Sequence, residues 1–426
     1  MKIVGLITEY NPFHNGHLYH IRKAKEITGA DYVIVVMSGN FVQRGAPAIM
    51  PKHIRAEVAL AAGVPLVLEL PVCFAAGSAE YFAQGAVSLL GSLGCVDSIC
   101  FGSECGDFAL LEKIARVTAD EPEEYKLLLK EYMAKGHSFP SARQQALEKY
   151  LGENVREILE QPNNILGIEY IKALCKTHSS MKAYTIKRIV SDYHEDSLNG
   201  GYSSASAIRK LLAHAGRSLR LEEDGMFDEP GLSEVLARLE TEVPAECIRF
   251  LEETHYTRYP IYENDFSAIL KYRLLTETRE TLTEYVDVNT EIANRILNHL
   301  NQFITIDQFC NLLKTKDTTY ARVSRCLFHI LLNIKDADME LFQKSGYAQY
   351  ARVLGFRKDG RKLLSVIKKQ SSIPLVTKLL RQEALSDAGQ RMMEQDIFAA
   401  NLYESIVTDK YKQPFLNEYK QQVVRV

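Results

Sequence analysis

A chain of 426 residues suggests two or three domains and can bury a full core without disulfides or a structural metal. Its composition, 46% hydrophobic and 25% charged with a formal net charge of −3, is that of an ordinary globular protein, so any surface for a polyanion has to be sought locally. No apolar run approaches the ~18 residues of a membrane helix. The eight cysteines contain no CxxC pair. We therefore expect a cytoplasmic protein with reduced thiols and no metal site.

"KIVGLI" (2–7) is a continuous apolar run, the pattern of a parallel strand covered on both faces. "LYHIRKAKEITG" (18–29) takes helical spacing, with Leu18, Ile21, Ala24 and Ile27 on one face and Gly29 to stop it. "DYVIVVMSGN" (31–40) predicts a second strand and "PKHIRAEVALAAG" (51–63) a helix opened by Pro and closed by Gly. "VPLVLELP" (64–71), "SAEYFAQGAVSLLGSLG" (78–94) and "VDSICFGSE" (96–104) continue as strand, helix and strand. This alternation predicts βαβ units in a doubly wound parallel sheet, an α/β fold. Residues 105–180 read as a helical insertion. A fifth strand follows at "KAYTIKRI" (182–189), with Lys187 and Arg188 at its end, and then a helix at "SSASAIRKLLAHAG" (203–216).

The acidic, Gly/Pro-punctuated segment "LRLEEDGMFDEPG" (219–231) reads as a linker. We therefore expect a nucleotide-binding domain over 1–216 and a mainly α-helical region over 217–426. Within the latter, Arg352, Arg357, Lys358, Arg361, Lys362, Lys368, Lys369, Lys378 and Arg381 face a single acid, Asp359, a local charge of +8. That pattern suits a nucleic-acid backbone, with Tyr347, Tyr350 and Phe356 nearby to stack on unpaired bases.

The chemistry concentrates in "TEYNPFHNGHLYH" (8–20), where the first strand hands over to a helix. In an open α/β sheet, ligands sit beyond the carboxyl ends of the strands. Gly16 would let a phosphate approach the backbone, the helix start would offer free N–H groups, and His14 and His17, three apart, would project over one spot. Imidazoles there can donate to phosphate oxygens during an in-line displacement. The loop is neither a P-loop nor GxGxxG. Simple helix capping by the histidines is the alternative. Lys23 is expected to face solvent. "SGNFVQRG" (38–45) reaches the same edge, pliable through Gly39 and Gly45, with Asn40, Gln43 and Arg44 to line a substrate pocket or a plain surface loop.

His14-Asn15-Gly16-His17 resembles the HxGH signature of the nucleotidyltransferase superfamily, and "SSASAIR" (203–209) is similar to its second signature, ISSTxIR. Ser204, Ser206 and Arg209 match, while Ala205 replaces a serine and Ser203 an isoleucine. "GLITEYNPFHNGHLYH", "MSGNFVQRGAPAIMPKHIRAEVAL", "FGSE" (101–104), "QPNNILGIEYIKAL" (161–174) and "IKRIVSDYH" (186–194) resemble the bacterial tRNA(Met) cytidine acetate ligases across the first half.

The resemblance implies a Rossmann-like fold and a reaction in which acetate and ATP give acetyl-adenylate and pyrophosphate. The acetyl group then passes to N4 of the wobble cytidine of elongator tRNA(Met). It implies catalytic roles for His14, His17 and Arg209. ATP contacts would come from Ile7, Thr8, Glu9, Tyr10, Asn11, Pro12, Phe13, His14, Asn15, Gly16, His17, Leu18, Tyr19 and His20, and from Gly102, Asn163, Asn164, Arg188, Ile189, Ser204 and Ser206. Mg2+ would be held mainly by the ATP phosphates. Arg357, Lys358, Arg361, Lys362, Lys368 and Lys369 would hold tRNA. A small-molecule adenylyltransferase and a non-catalytic, nucleotide-sensing RNA-binding protein are the alternatives.

Overall fold

The computed structural model describes residues 1–188, 201, 203–218, 229–379 and 385–426. Ile189, Arg381 and most of the expected linker lie outside the described residues. The strands are β1 (Ile3–Thr8), β2 (Tyr32–Ser38), β3 (Phe41–Val42), β4 (Ala46–Pro47), β5 (Leu66–Leu70), β6 (Ser98–Ser103), β7 (Lys182–Lys187), β8 (Ala351–Phe356), β9 (Leu375–Val376) and β10 (Val424–Arg425). All but β3 and β4 form one sheet in the order β10-β8-β5-β2-β1-β6-β7, with β9 beside β8. The β5-β2-β1-β6-β7 portion is parallel, as the alternating pattern predicts. Strand order reverses about β1, which opens a crevice at the carboxyl ends of β1 and β6.

Two expectations change. The sheet is mixed, because β8 runs antiparallel to β5. The helical region beyond 217 is also not separate from the sheet, since β8, β9 and β10 extend it from the C-terminal half. Their short runs among helical patterns carry too little periodicity to be read as strands. Between β6 and β7 the chain is helical, as expected: Phe108–Asp120, Glu123–Ala134, Phe139–Leu151, Arg156–Glu160 and Pro162–Lys176. On helix Asn15–Thr28, Ile21 and Ala24 are buried, but Ile27 is 41% exposed in the last turn.

A buried ion network joins the halves. Lys52 Nζ lies 2.7 Å from both Glu69 and Glu418, and Arg352 bridges the same two carboxylates from β8. All four side chains are at most 6% exposed. Arg352 is therefore a structural residue, a correction to its place in the basic run. Tyr350 is buried too and donates its hydroxyl to Asp396, so it offers no stacking face. Breaking a buried pair leaves an uncompensated charge. Arg352→Ala should lower unfolding free energy by about 3–5 kcal/mol, read by urea denaturation. A loss under about 1 kcal/mol would show that the network does not hold β8 in place.

Candidate active site

Helix Asn15–Thr28 begins at the carboxyl end of β1, and its cap is made by the two histidines. The Gly16 amide donates to His14 Nδ1 at 3.1 Å, and the His14 amide donates to His17 Nδ1 at 3.2 Å. This reciprocal arrangement is a capping box built from imidazoles. With Nδ1 acting as acceptor in each ring, the hydrogen-bond pattern assigns the proton of the neutral form to Nε2. Burial, then the positive charges of Arg188 and Arg209, hold the His14 pKa down at about 3. Burial, then neighbouring His14 and Arg188, hold His17 well below the usual range. The rings lie 3.8 Å apart between centroids. The site thus presents two neutral Nε2–H donors. The capping and functional readings of His14 and His17 are not alternatives: one nitrogen caps and the other faces outward.

The same geometry overturns the expectation of free amides at this helix start. Asn15 N donates to Glu242 O, Gly16 N to His14 Nδ1, and the His17 and Leu18 amides to His14 O. Gly16 serves the ring instead of a phosphate: a Cβ there would stand 2.8 Å from His14 Cε1. Open amides lie at the second motif. Ser204 Oγ caps helix Ala205–Ser218 by accepting from Ala207 N at 3.1 Å, and the Ala205 and Ser206 amides have no partner among the described residues. Arg209 reaches back from this helix to the Asn11 carbonyl at 2.7 Å and to Ser206 Oγ at 3.2 Å, leaving three of its five N–H donors.

The crevice is lined by His14, Gly16, His17, Tyr19, His20, Gly102, Arg188 and Ser204 among the expected residues, and by Ser203, Ile186 and Lys187 besides. Among the described residues its lining has no carboxylate, so a divalent ion held there by these residues would take its ligands from phosphates. Gly102 makes room for the Arg188 stem, whose Cγ would lie 3.2 Å from an added Cβ. Arg188 donates to Asn163 Oδ1 at 3.4 Å.

Other expected contacts turn out to be supports. Tyr10 and Phe13 are 1% exposed, and their rings pack around His17 at 4.8 and 5.6 Å between centroids. The Asn11 side chain accepts from Ile49 N, and Leu18 packs on the core. Thr8 and Pro12 are buried and Ile7 is half-buried. Asn15 Nδ2 is spent on Thr241 O. Asn164 is 1% exposed and accepts from Cys105 N, so its amide supports the turn after β6 instead of reading a nucleotide edge. Lys23 pairs with Glu26 at the surface, as expected.

The hairpin β3–β4 is held rigidly, contrary to the expected pliability. Phe41 packs on Phe266, Phe328 and Tyr403. Gly45 sits at φ 69° against the backbone of Arg325, and its carbonyl accepts from Ser324 Oγ. Asn40 is buried and accepts from Lys52 N. Gln43 N donates to Glu9 Oε1 at 2.9 Å, and Arg44 is exposed beside Glu9.

Three residues escaped the sequence reading. Buried Arg55 collects the carbonyls of Glu9, Ser38, Gly39 and Met50, fixing the ends of β1 and β2. Glu104 accepts from the Asn163 and Asn164 amides. Glu242 accepts from Gly201 and Ser203. Arg55 and Glu104 lie in segments that carry the family resemblance, and Glu242 does not. Nothing local marks the roles of Arg55 and Glu242, because their partners are mostly backbone groups far away in sequence.

His14 and His20, with pKa values pushed down by burial to about 3 and 4, bind protons more weakly when folded than an ordinary imidazole at 6.5. The unfolded chain therefore holds more protons between about pH 6.5 and 3, and stability is lost as pH falls through that window. His14→Asn, which keeps an acceptor near Nδ1 but cannot titrate, should flatten the slope by up to about 1.4 kcal/mol per pH unit. Denaturant titrations at pH 7, 6 and 5 read this directly. An unchanged slope would mean that His14 is not buried neutral.

The model of the HIGH Nucleotidyl Transferase family matches residues 1–418. The tRNA(Met) cytidine acetate ligase of Acetivibrio thermocellus is 43% identical over 406 residues, covering 95% of this chain and 94% of its own. That of Clostridium perfringens is 41% identical over 412 residues, covering 95% of each. Crystal structures of Thermotoga maritima TmcAL match over 100% of both chains, with TM-scores of 0.90 for an apo form and 0.87 for a form bound with alpha-thio ATP, at 32% and 31% identity. With the paired imidazoles at the β1 crevice, these likenesses establish that the chain belongs to the HIGH nucleotidyl transferase family, among the tRNA(Met) cytidine acetate ligases.

Proposed function

We propose that this protein activates acetate with ATP and transfers the acetyl group to N4 of the wobble cytidine of elongator tRNA(Met). The observation that carries the reading is the pair of neutral imidazoles whose Nε2 edges face a crevice flanked by Arg188 and Ser204, in a chain with these relatives. In the first step an acetate oxygen bonds to the α-phosphorus and the bond to the pyrophosphate oxygen breaks. His14 and His17 donate to α-phosphate oxygens, where negative charge builds. Being uncharged, they gain most from charge that appears only in the transition state. Arg188, Arg209, the open amides of Ala205 and Ser206, and Ser204 receive the departing pyrophosphate.

In the second step N4 of cytidine attacks the acetyl carbonyl carbon, AMP leaves with the bonding electrons, and N4 loses a proton. The cytidine leaves its stack to reach the crevice. Gln43 and Arg44, beside Glu9, lie on its approach. Mg2+, when bound, neutralises phosphate charge and is held by the phosphates.

Residues 1–216 carry the adenylation and 217–426 contribute the tRNA contact. Lys358, Arg361, Lys362, Lys368 and Lys369 are exposed and form no ion pair among the described residues, whereas Arg357 pairs with Asp359. The helix Arg361–Gln370 lies at the strand-start edge, since Phe356 pairs with Leu66 at the beginning of β5 and Arg357 N donates to Pro65 O. One strand length, about 20 Å for six residues, separates it from the crevice. It therefore grips the RNA backbone outside the modified loop. A tRNA substrate supports a cytoplasmic location. No helix among the described residues is long and apolar enough to cross a membrane.

His17→Asn, which keeps an acceptor for the His14 amide but deletes the Nε2 donor, should cut acetyl-adenylate formation by about 10²-fold or more with little change in melting temperature. Wild-type pyrophosphate release with ATP and acetate would remove the imidazoles from the chemistry. Mass spectrometry of tRNA after incubation with ATP and labelled acetate tests the acceptor. Reversing Arg361 and Lys362 together to Glu should weaken tRNA binding and shallow its salt dependence, while sparing tRNA-independent adenylation. Unchanged affinity would move the RNA surface elsewhere.

A further inference from the structure

Glu242 lies in the turn after helix Glu229–Leu239, is 1% exposed, and has its amide bonded to Leu239 O. Its two carboxylate oxygens serve one segment: Oε1 accepts from Gly201 N and Oε2 from Ser203 N, each at 2.9 Å. Its backbone carbonyl serves another, accepting from Asn15 N at 3.0 Å, and the neighbouring Thr241 carbonyl accepts from Asn15 Nδ2 at 2.9 Å. Cys247, just beyond, donates its thiol to the Phe13 carbonyl. One short stretch of the C-terminal half thus holds both segments that line the crevice, the start of the His14–His17 helix and the run into Ser204.

No ion-pair partner of Glu242 occurs among the described residues, so backbone amides satisfy its charge. A carboxylate beside a triphosphate pocket repels the ligand. A bystander there would be a liability, and only a role in geometry offsets that cost.

We propose that Glu242 is a positioning residue for adenylation: it fixes the distance between the imidazole pair and the Ser204–Arg209 helix start, so that the groups acting on the α-phosphate and on the leaving pyrophosphate are in register. The inference rests on the adenylation reading above. It extends that reading by assigning the register to a residue that touches no substrate. Misplacement of reacting groups by about 1 Å costs on the order of 10²-fold in rate.

The two views of Glu242 predict opposite signs for Glu242→Gln, which keeps size and one acceptor but sets an NH2 group against an amide N–H. A bystander loses only its repulsion, so ATP binds as well or better and kcat is unchanged. A positioning residue loses rate: we expect kcat for acetyl-adenylate formation to fall at least ~10-fold, the KM for ATP to change less than about 3-fold, and the folded fraction to stay intact by near-UV circular dichroism. Glu242→Ala should be slower still. Hydrogen exchange on the intact protein supplies an arm independent of activity: in the Gln variant, amides at both 14–17 and 203–206 should exchange faster together. Wild-type kcat in the Gln variant, or faster exchange at 203–206 alone, overturns the proposal. Absence of acetyl-adenylate with the wild-type enzyme would instead sink the adenylation reading, and the exchange result would still decide whether Glu242 couples the two segments.

Discussion

The bonds from the Gly16 and His14 amides to His14 Nδ1 and His17 Nδ1 are the constraint on which the rest of the site depends. They use the inner nitrogen of each ring and so leave the proton on the outer one. Burial then keeps both rings uncharged. A cationic pair would attract any phosphate, bound or reacting, and would need charges to screen it. A neutral pair of fixed donors acts mainly where charge develops. Gly16 belongs to the same device, since only a residue without a Cβ lets the His14 ring fold over the first turn. Tyr10 and Phe13 complete it by walling in the His17 ring.

Because His14 and Glu242 take the amides of the first helix start, the open N–H groups that anions seek are found at the other helix, behind Ser204. The two motifs are therefore complementary: imidazole donors from one, main-chain and guanidinium donors from the other. Neither motif holds itself in place. Arg55 ties the ends of β1 and β2, and Arg209 spans from its own helix to the Asn11 carbonyl.

The C-terminal half is a scaffold for this site. It inserts β8 into the sheet through the network of Lys52, Glu69, Arg352 and Glu418, pins the β3–β4 hairpin through Ser324 and Phe328, and closes on the loop after β1 through Glu242 and Cys247. The exposed cations of helix Arg361–Gln370 lie at the opposite edge of the sheet. In the function proposed above, chemistry and RNA attraction are separated by the length of the strands, so the substrate has to span the sheet to use both, which a mononucleotide cannot do.

The alternation of continuous apolar runs with amphipathic helices settled the parallel part of the sheet, its strand ends and hence the crevice, because an apolar run buried on both faces and period-3.6 burial are local properties. The spacing of His14, Gly16 and His17 after such a strand was legible for the same reason: three residues are one turn. Which nitrogen each ring presents, which helix start stays open, the burial of Arg352 and Tyr350, the rigidity around Gly45 and the work of Arg55 and Glu242 were decided by tertiary structure. The ring orientation rests on bonds within three residues, whose geometry only the folded turn fixes. The burial of Arg352 and Tyr350, the rigidity around Gly45 and the work of Arg55 and Glu242 rest mainly on partners far away in sequence, whose identity leaves no local mark. A charge run likewise shows how many cations are present, but only the fold decides which of them meet water and which edge of the sheet they occupy.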